Sequence, residues 1–158
     1  MNDKLVKIVN NLKKKNKKIS TMESCTGGGL ANSITSIVGA SSVIEFSAVT
    51  YCNKYKIKMG VSKDVIDKYT VYSMETAREM ARSISDFSNS NYGVGITGKL
   101  GKKDPFNLSG NDNKVYICIY DKDNDIYHDL SIEVDSSNRE KDKLEVLEYT
   151  VDYLYKIC

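Results

Sequence analysis

Apolar positions fall into two alternating rhythms along this chain, and the rhythms mark out its elements. Leu5, Ile8, Val9 and Leu12 recur at helical spacing between lysines, which predicts an amphipathic first helix ending in the basic run Lys13–Lys18. Ile19 to Met22 then reads as a short strand. It is followed by the turn Glu23-Ser24-Cys25-Thr26-Gly27-Gly28-Gly29 and a second helical stripe of Leu30, Ala31, Ile34 and Ile37. Val43 to Tyr51 carries the β-branched and aromatic residues of a second strand, with residues 43–46 open to a helical turn instead. A short helix is predicted over Asn53 to Met59, and another turn of helix opens at Ser62. Ser73 caps a longer helix whose apolar face is Met74, Ala77, Met80, Ala81, Ile84 and Phe87. Tyr92 to Thr97 reads as a buried strand. Val115 to Tyr120 and Ile126 to Val134 form a hairpin across the polar turn Asp121 to Asp125. The chain closes on a helix striped with Leu144, Leu147, Val151, Leu154 and Cys158, after several N-cap candidates at residues 135–138.

This order predicts an α/β fold, a three-layer α/β/α sandwich with a mixed sheet, as a single domain over residues 1–158. The long irregular segment is Lys99 to Asn113. It holds the only proline, Pro105, and a segment of that length is commonly functional or mobile.

Composition narrows the classes of function. Basic and acidic residues number 23 and 21, a balance that does not call for nucleic acid as a partner. No apolar run reaches the length of a membrane span, so a cytoplasmic chain without a membrane partner is expected. Cys25, Cys52, Cys118 and Cys158 are widely spaced and read as free thiols rather than a zinc site. His128 is the only histidine and is expected to sit exposed near a turn, which excludes His-rich metal sites; no metal and no cofactor are expected. Arginines are only Arg78, Arg82 and Arg139, which limits the candidates for bidentate anion recognition.

Three places could carry chemistry. The glycine-rich turn from Glu23 to Gly29 opens a helix, where free N–H groups attract anions, although a plain capped turn would have the same pattern. Ser41, Tyr51 and Lys56 include the parts of a serine–lysine nucleophile pair, but local sequence does not bring them together. Thr97 stands at a strand end, where ligands gather in open α/β sheets.

Taken in order, Thr21-Met22-Glu23-Ser24-Cys25-Thr26-Gly27-Gly28, Gly39-Ala40-Ser41, Val49-Thr50-Tyr51-Cys52-Asn53-Lys54-Tyr55-Lys56 and Gly95-Ile96-Thr97-Gly98 resemble the CinA C-terminal-domain family over nearly the whole chain. The resemblance implies a nicotinamide-nucleotide amidohydrolase, which converts nicotinamide mononucleotide to nicotinate mononucleotide and ammonia. It makes Ser41 the nucleophile, with Lys56 and Tyr51 activating it. Ser24, Thr26, Gly27, Gly28 and Thr97 would line the substrate pocket, and Arg139 would hold the nucleotide phosphate. The expected partners are a small nucleotide substrate and further copies of the chain as a homo-oligomer. The sequence departs from the family pattern at residues 99–114, where the usual Ala-Gly-Pro turn and Lys-Pro-Val-Gly run are replaced. The alternative is therefore a weak or inactive nucleotide-binding or interaction protein on the same fold.

Overall fold

A computed structural model describes residues 1–101, 108–135 and 138–158. Much of the irregular segment, including Lys102, Lys103 and Pro105, thus lies outside the described residues, as does Ser137. In chain order the elements are α1 (Asn2–Lys14), β1 (Ile19–Glu23), α2 (Gly29–Thr35), a 3-10 turn (Ala40–Ser42), β2 (Ser47–Val49), α3 (Asn53–Lys58), α4 (Lys63–Tyr69), α5 (Met74–Ser88), β3 (Tyr92–Gly98), β4 (Lys114–Asp121), β5 (Ile126–Glu133) and α6 (Arg139–Ile157).

The five strands form one sheet in the order β2-β1-β3-β4-β5. β1 runs parallel to both β2 and β3, whereas β4 and β5 are antiparallel to their neighbours. The sheet is mixed and helices cover both faces, so the predicted three-layer α/β/α sandwich is the fold.

Each face follows from side-chain alternation along a strand. In β3, Val94 and Ile96 point into a core shared with Leu5, Ile8, Val9 and Leu12 of α1, Leu30 and Ile34 of α2, and Val146, Val151 and Leu154 of α6. Gly93 and Gly95 face the opposite way, against α5. A Cβ on Gly95 would stand 2.2 Å from the Ala77 carbonyl oxygen, and one on Gly93 would stand 2.0 Å from that of Ala81. The helix backbone therefore lies directly on the strand, through small residues on both sides.

Several boundaries differ from the pattern reading. β2 contracts to three residues because Val43 and Ile44 turn inward and are buried, with the Val43 carbonyl accepting the Ile19 N–H at 2.8 Å. Phe87 is exposed and packs on Phe46 with ring centroids 5.0 Å apart, so the α5 core face stops at Ile84 and Ser85. Leu144 is also exposed. The buried stripe of α6 is Val146, Leu147, Thr150, Val151 and Leu154, which leaves Leu144 off the stripe. Asn138 supplies the cap, its side-chain oxygen accepting the N–H groups of Glu140 and Lys141 at 3.0 Å. His128 lies within β5 and is half-buried, its Nδ1 3.3 Å from the Tyr153 hydroxyl, which corrects the exposed-turn expectation.

Candidate active site

The three parallel strands end on one side of the sheet. β1 lies between β2 and β3, so the chain leaves β1 to one side and crosses back over it to reach β3. Crevices for ligands form at such a reversal, beyond the strand carboxyl ends. Ser24 follows β1 there, and its N–H donates to the Ile96 carbonyl of β3 at 3.0 Å. Thr50 follows β2, and its N–H donates to the Glu23 carbonyl at 2.9 Å. α3 begins three residues later and delivers Lys56 to the same place.

Lys56 is only 1% exposed. Its Nζ donates to the Ser24 hydroxyl at 3.1 Å and to the Thr50 carbonyl at 2.6 Å. Ser24 and Lys56 thus form a buried hydroxyl–amine pair 32 residues apart in sequence. Ser41, by contrast, stands exposed on the 3-10 turn. Among the described residues, the serine hydroxyl that Lys56 reaches is that of Ser24.

The carboxylate of Glu23 explains the local shape. It is fully buried and accepts from the hydroxyls of Thr21 (3.0 Å) and Thr26 (2.6 Å) and from the N–H groups of Leu30 (3.0 Å) and Ala31 (2.9 Å). The free N–H groups that open α2 are therefore already met by the protein's own anion. The Thr26 hydroxyl gives its proton to Glu23. Gly27 and Gly28 take positive φ, +65° and +89°, as the turn requires. The Gly27 N–H donates back to the Ser24 carbonyl at 2.9 Å. The amides of Thr26 and Gly28 donate to no group among the described residues.

The other expected residues are placed less directly. Thr97 is completely buried and gives its hydroxyl proton to the Val71 carbonyl at 2.8 Å, so it joins β3 to the segment before α5. The Tyr51 ring is exposed, and its hydroxyl accepts from Arg139 at 3.0 Å. Arg139 also donates to the Leu100 carbonyl, and so links the start of α6 to the segments after β2 and β3. Lys99 is buried rather than a free surface charge, 3.4 Å from Asp112 and over the Tyr72 ring. Cys25 is buried beside the pair. Burial pushes its thiol up to about 12, although Arg139 and Lys56 pull the other way. It is therefore protonated at neutral pH and a poor nucleophile.

Glu23 was visible in the sequence only as the residue before Ser24. A carboxyl seven positions before the second helical stripe has no local signature, because its partners are brought together by the turn itself.

With the site's geometry established, comparison with known proteins decides the family. The CinA C-terminal domain model matches residues 2–158. The chain belongs to that family. A Clostridium botulinum relative named as a competence-damage inducible protein is 45% identical over 95 residues, covering 60% of this chain and 23% of the relative. A CinA-like protein of Endomicrobium trichonymphae is 39% identical over 128 residues, covering 77% of this chain and 28% of the relative. The chain thus spans about a quarter of the length of these curated relatives. The crystal structure of the competence/damage inducible protein CihA from Agrobacterium tumefaciens superposes with a TM-score of 0.89 at 25% identity, covering 97% of this chain and 92% of that one. The CinA-family fold is therefore shared over nearly the whole chain, and among the described residues no helix is long and apolar enough to cross a membrane.

Proposed function

We propose that this CinA-family chain is an amidohydrolase that cleaves the carboxamide of nicotinamide mononucleotide, with Ser24 as nucleophile and Lys56 as its base. The observation that carries this reading is the 3.1 Å contact between Lys56 Nζ and Ser24 Oγ in a buried setting. Serine needs an adjacent base to attack a carbonyl carbon, and a lysine withdrawn from water is a recognised one.

For Lys56 to serve as base, its amine must be deprotonated and accept the Ser24 O–H across the same 3.1 Å contact, taking that proton as Oγ attacks the carboxamide carbon. The unpaired Thr26 and Gly28 amides are the donors available to the oxyanion. Lys56 returns the proton to the departing nitrogen and ammonia leaves. A water molecule, deprotonated by the same amine, then splits the acyl-serine ester to the carboxylate. The Thr50 carbonyl holds the amine in place throughout. Tyr51 enters through its bond to Arg139 at the mouth of the site and not through a relay to Ser41.

Ammonia release from nicotinamide mononucleotide tests the proposal. Ser24→Ala and Lys56→Ala are each expected to lower turnover by about a thousandfold or more, and Ser41→Ala by less than about tenfold. A dead Ser41→Ala beside an active Ser24→Ala would exchange the two serines' roles. Wild-type protein that binds the nucleotide without releasing ammonia would make the chain a binding protein.

A further inference from the structure

Thr50 enters the site through its backbone. Its N–H donates to the Glu23 carbonyl at 2.9 Å, and its own carbonyl accepts from Lys56 Nζ at 2.6 Å. Its hydroxyl takes no part. Thr50 is 2% exposed, and its Oγ1 is buried without a hydrogen-bond partner among the described residues. Asp142 Oδ2 shares that condition, but it belongs to α6 and lies outside the Ser24–Lys56 pair. An unmet buried hydroxyl costs stability, and the neighbouring threonines avoid that cost. Thr21 and Thr26 give their protons to Glu23, and Thr97 gives its own to the Val71 carbonyl.

Covalent geometry keeps a threonine hydroxyl within about 5 Å of its own carbonyl oxygen, so this one lies close to the Lys56 amine. The reaction creates a use for it there. To receive a proton from Lys56, the departing nitrogen must stand within hydrogen-bond reach of Nζ. Ammonia is close to water in size, so its departure leaves room for one water molecule between the amine and the acyl carbon. A water in that place needs further polar contacts to fix its orientation. A hydroxyl can accept one of its O–H groups, which leaves the other aimed at Lys56 and a lone pair at the carbon.

We infer that Thr50 is a positioning residue for the second half of the reaction: its hydroxyl holds the water that splits the acyl-serine ester. The water oxygen bonds to the acyl carbon as Lys56 takes one water proton. The bond from that carbon to Ser24 Oγ then breaks, and Lys56 passes the proton to Oγ. The product acid gives up its remaining proton to solvent. The inference rests on the amidohydrolase reading, with Ser24 and Lys56 in the roles given above.

The test follows ammonia release from nicotinamide mononucleotide by rapid quench, together with the mass of the intact chain. Thr50→Val keeps the side-chain shape and the backbone carbonyl but not the hydroxyl. It should release about one ammonia per chain in a burst near the wild-type rate, then turn over at least about tenfold more slowly. During the slow phase the chain should carry the acyl group on Ser24. Hydroxylamine attacks esters without help from a base, so it should discharge that adduct and restore turnover. Thr50→Ser should turn over within about threefold of wild type. Thermal melting of Thr50→Val should match or exceed wild type, because the hydroxyl it removes is unmet. Thr50→Ala removes the same hydroxyl and should accumulate the same adduct. Equal steady-state rates in Thr50→Val and wild type overturn the inference. So does an equal slowing of burst and steady state without an adduct, which would make Thr50 merely structural. Either result leaves the amidase standing. A wild type that binds the mononucleotide and releases no ammonia overturns the amidase, and this inference with it.

Discussion

A carboxylate with four donors around it is sensitive to the loss of a single acceptor. Replacing Glu23 with Gln turns one oxygen into an NH2 group facing donors such as the Leu30 and Ala31 N–H groups, and leaves a buried donor unmatched. The expected cost is about 3 kcal/mol in urea denaturation. An unchanged unfolding midpoint would mean that the turn is held by its glycines alone. At this scale the sequence was only half legible. The residue types of the site stood out, as did the motifs that hold Ser24, Tyr51 and Lys56. Which serine met the lysine did not, because that depends on how far α3 is carried by the short β2, and a three-residue edge strand leaves little periodicity to read.

Elements were far more legible, for a physical reason. The stripe of α1, the Ser73 cap of α5 and the hairpin of β4 and β5 all express a period or a cap within a few residues. The misread positions, Phe87 and Leu144, sit at the margins of such stripes, where a rotation of one residue decides between core and solvent. The pairing of β3 with α5 is the most exacting contact between elements. Gly95→Ala would bring a methyl group within 2.2 Å of the Ala77 carbonyl oxygen and 2.6 Å of the Ala81 nitrogen. Backbone cannot yield as a flexible side chain would, so a loss of about 3 kcal/mol is expected in thermal or urea unfolding. A variant as stable as wild type would show that α5 slides freely on the sheet.

The whole molecule carries an alkaline pH dependence to which its buried thiols contribute, beside Tyr120, whose hydroxyl burial pushes up to about 12. Burial pushes Cys25 and Cys158 up to about 12 and Cys118 higher still, each from an ordinary value of 9.0. The unfolded chain loses these protons first, so stability is intact below about pH 9 and falls as pH rises toward the folded values. Urea unfolding between pH 8 and 11 should show that decline, and Cys→Ala replacement at the three buried positions should flatten it. An identical slope in the triple variant would assign the decline to other groups.

The hydrogen bond between Arg139 and Tyr51 spans 88 residues of chain, against 32 for Lys56 and Ser24. Closing the longer loop costs more entropy and must wait until α6 has settled across α2. Loop length alone therefore favours forming the Ser24–Lys56 pair ahead of the bond that ties Arg139 to Tyr51. A chain with that pair formed and α6 undocked would lack the Arg139 bridge to Tyr51 and Leu100, so docking of the closing helix is the step expected to complete the site.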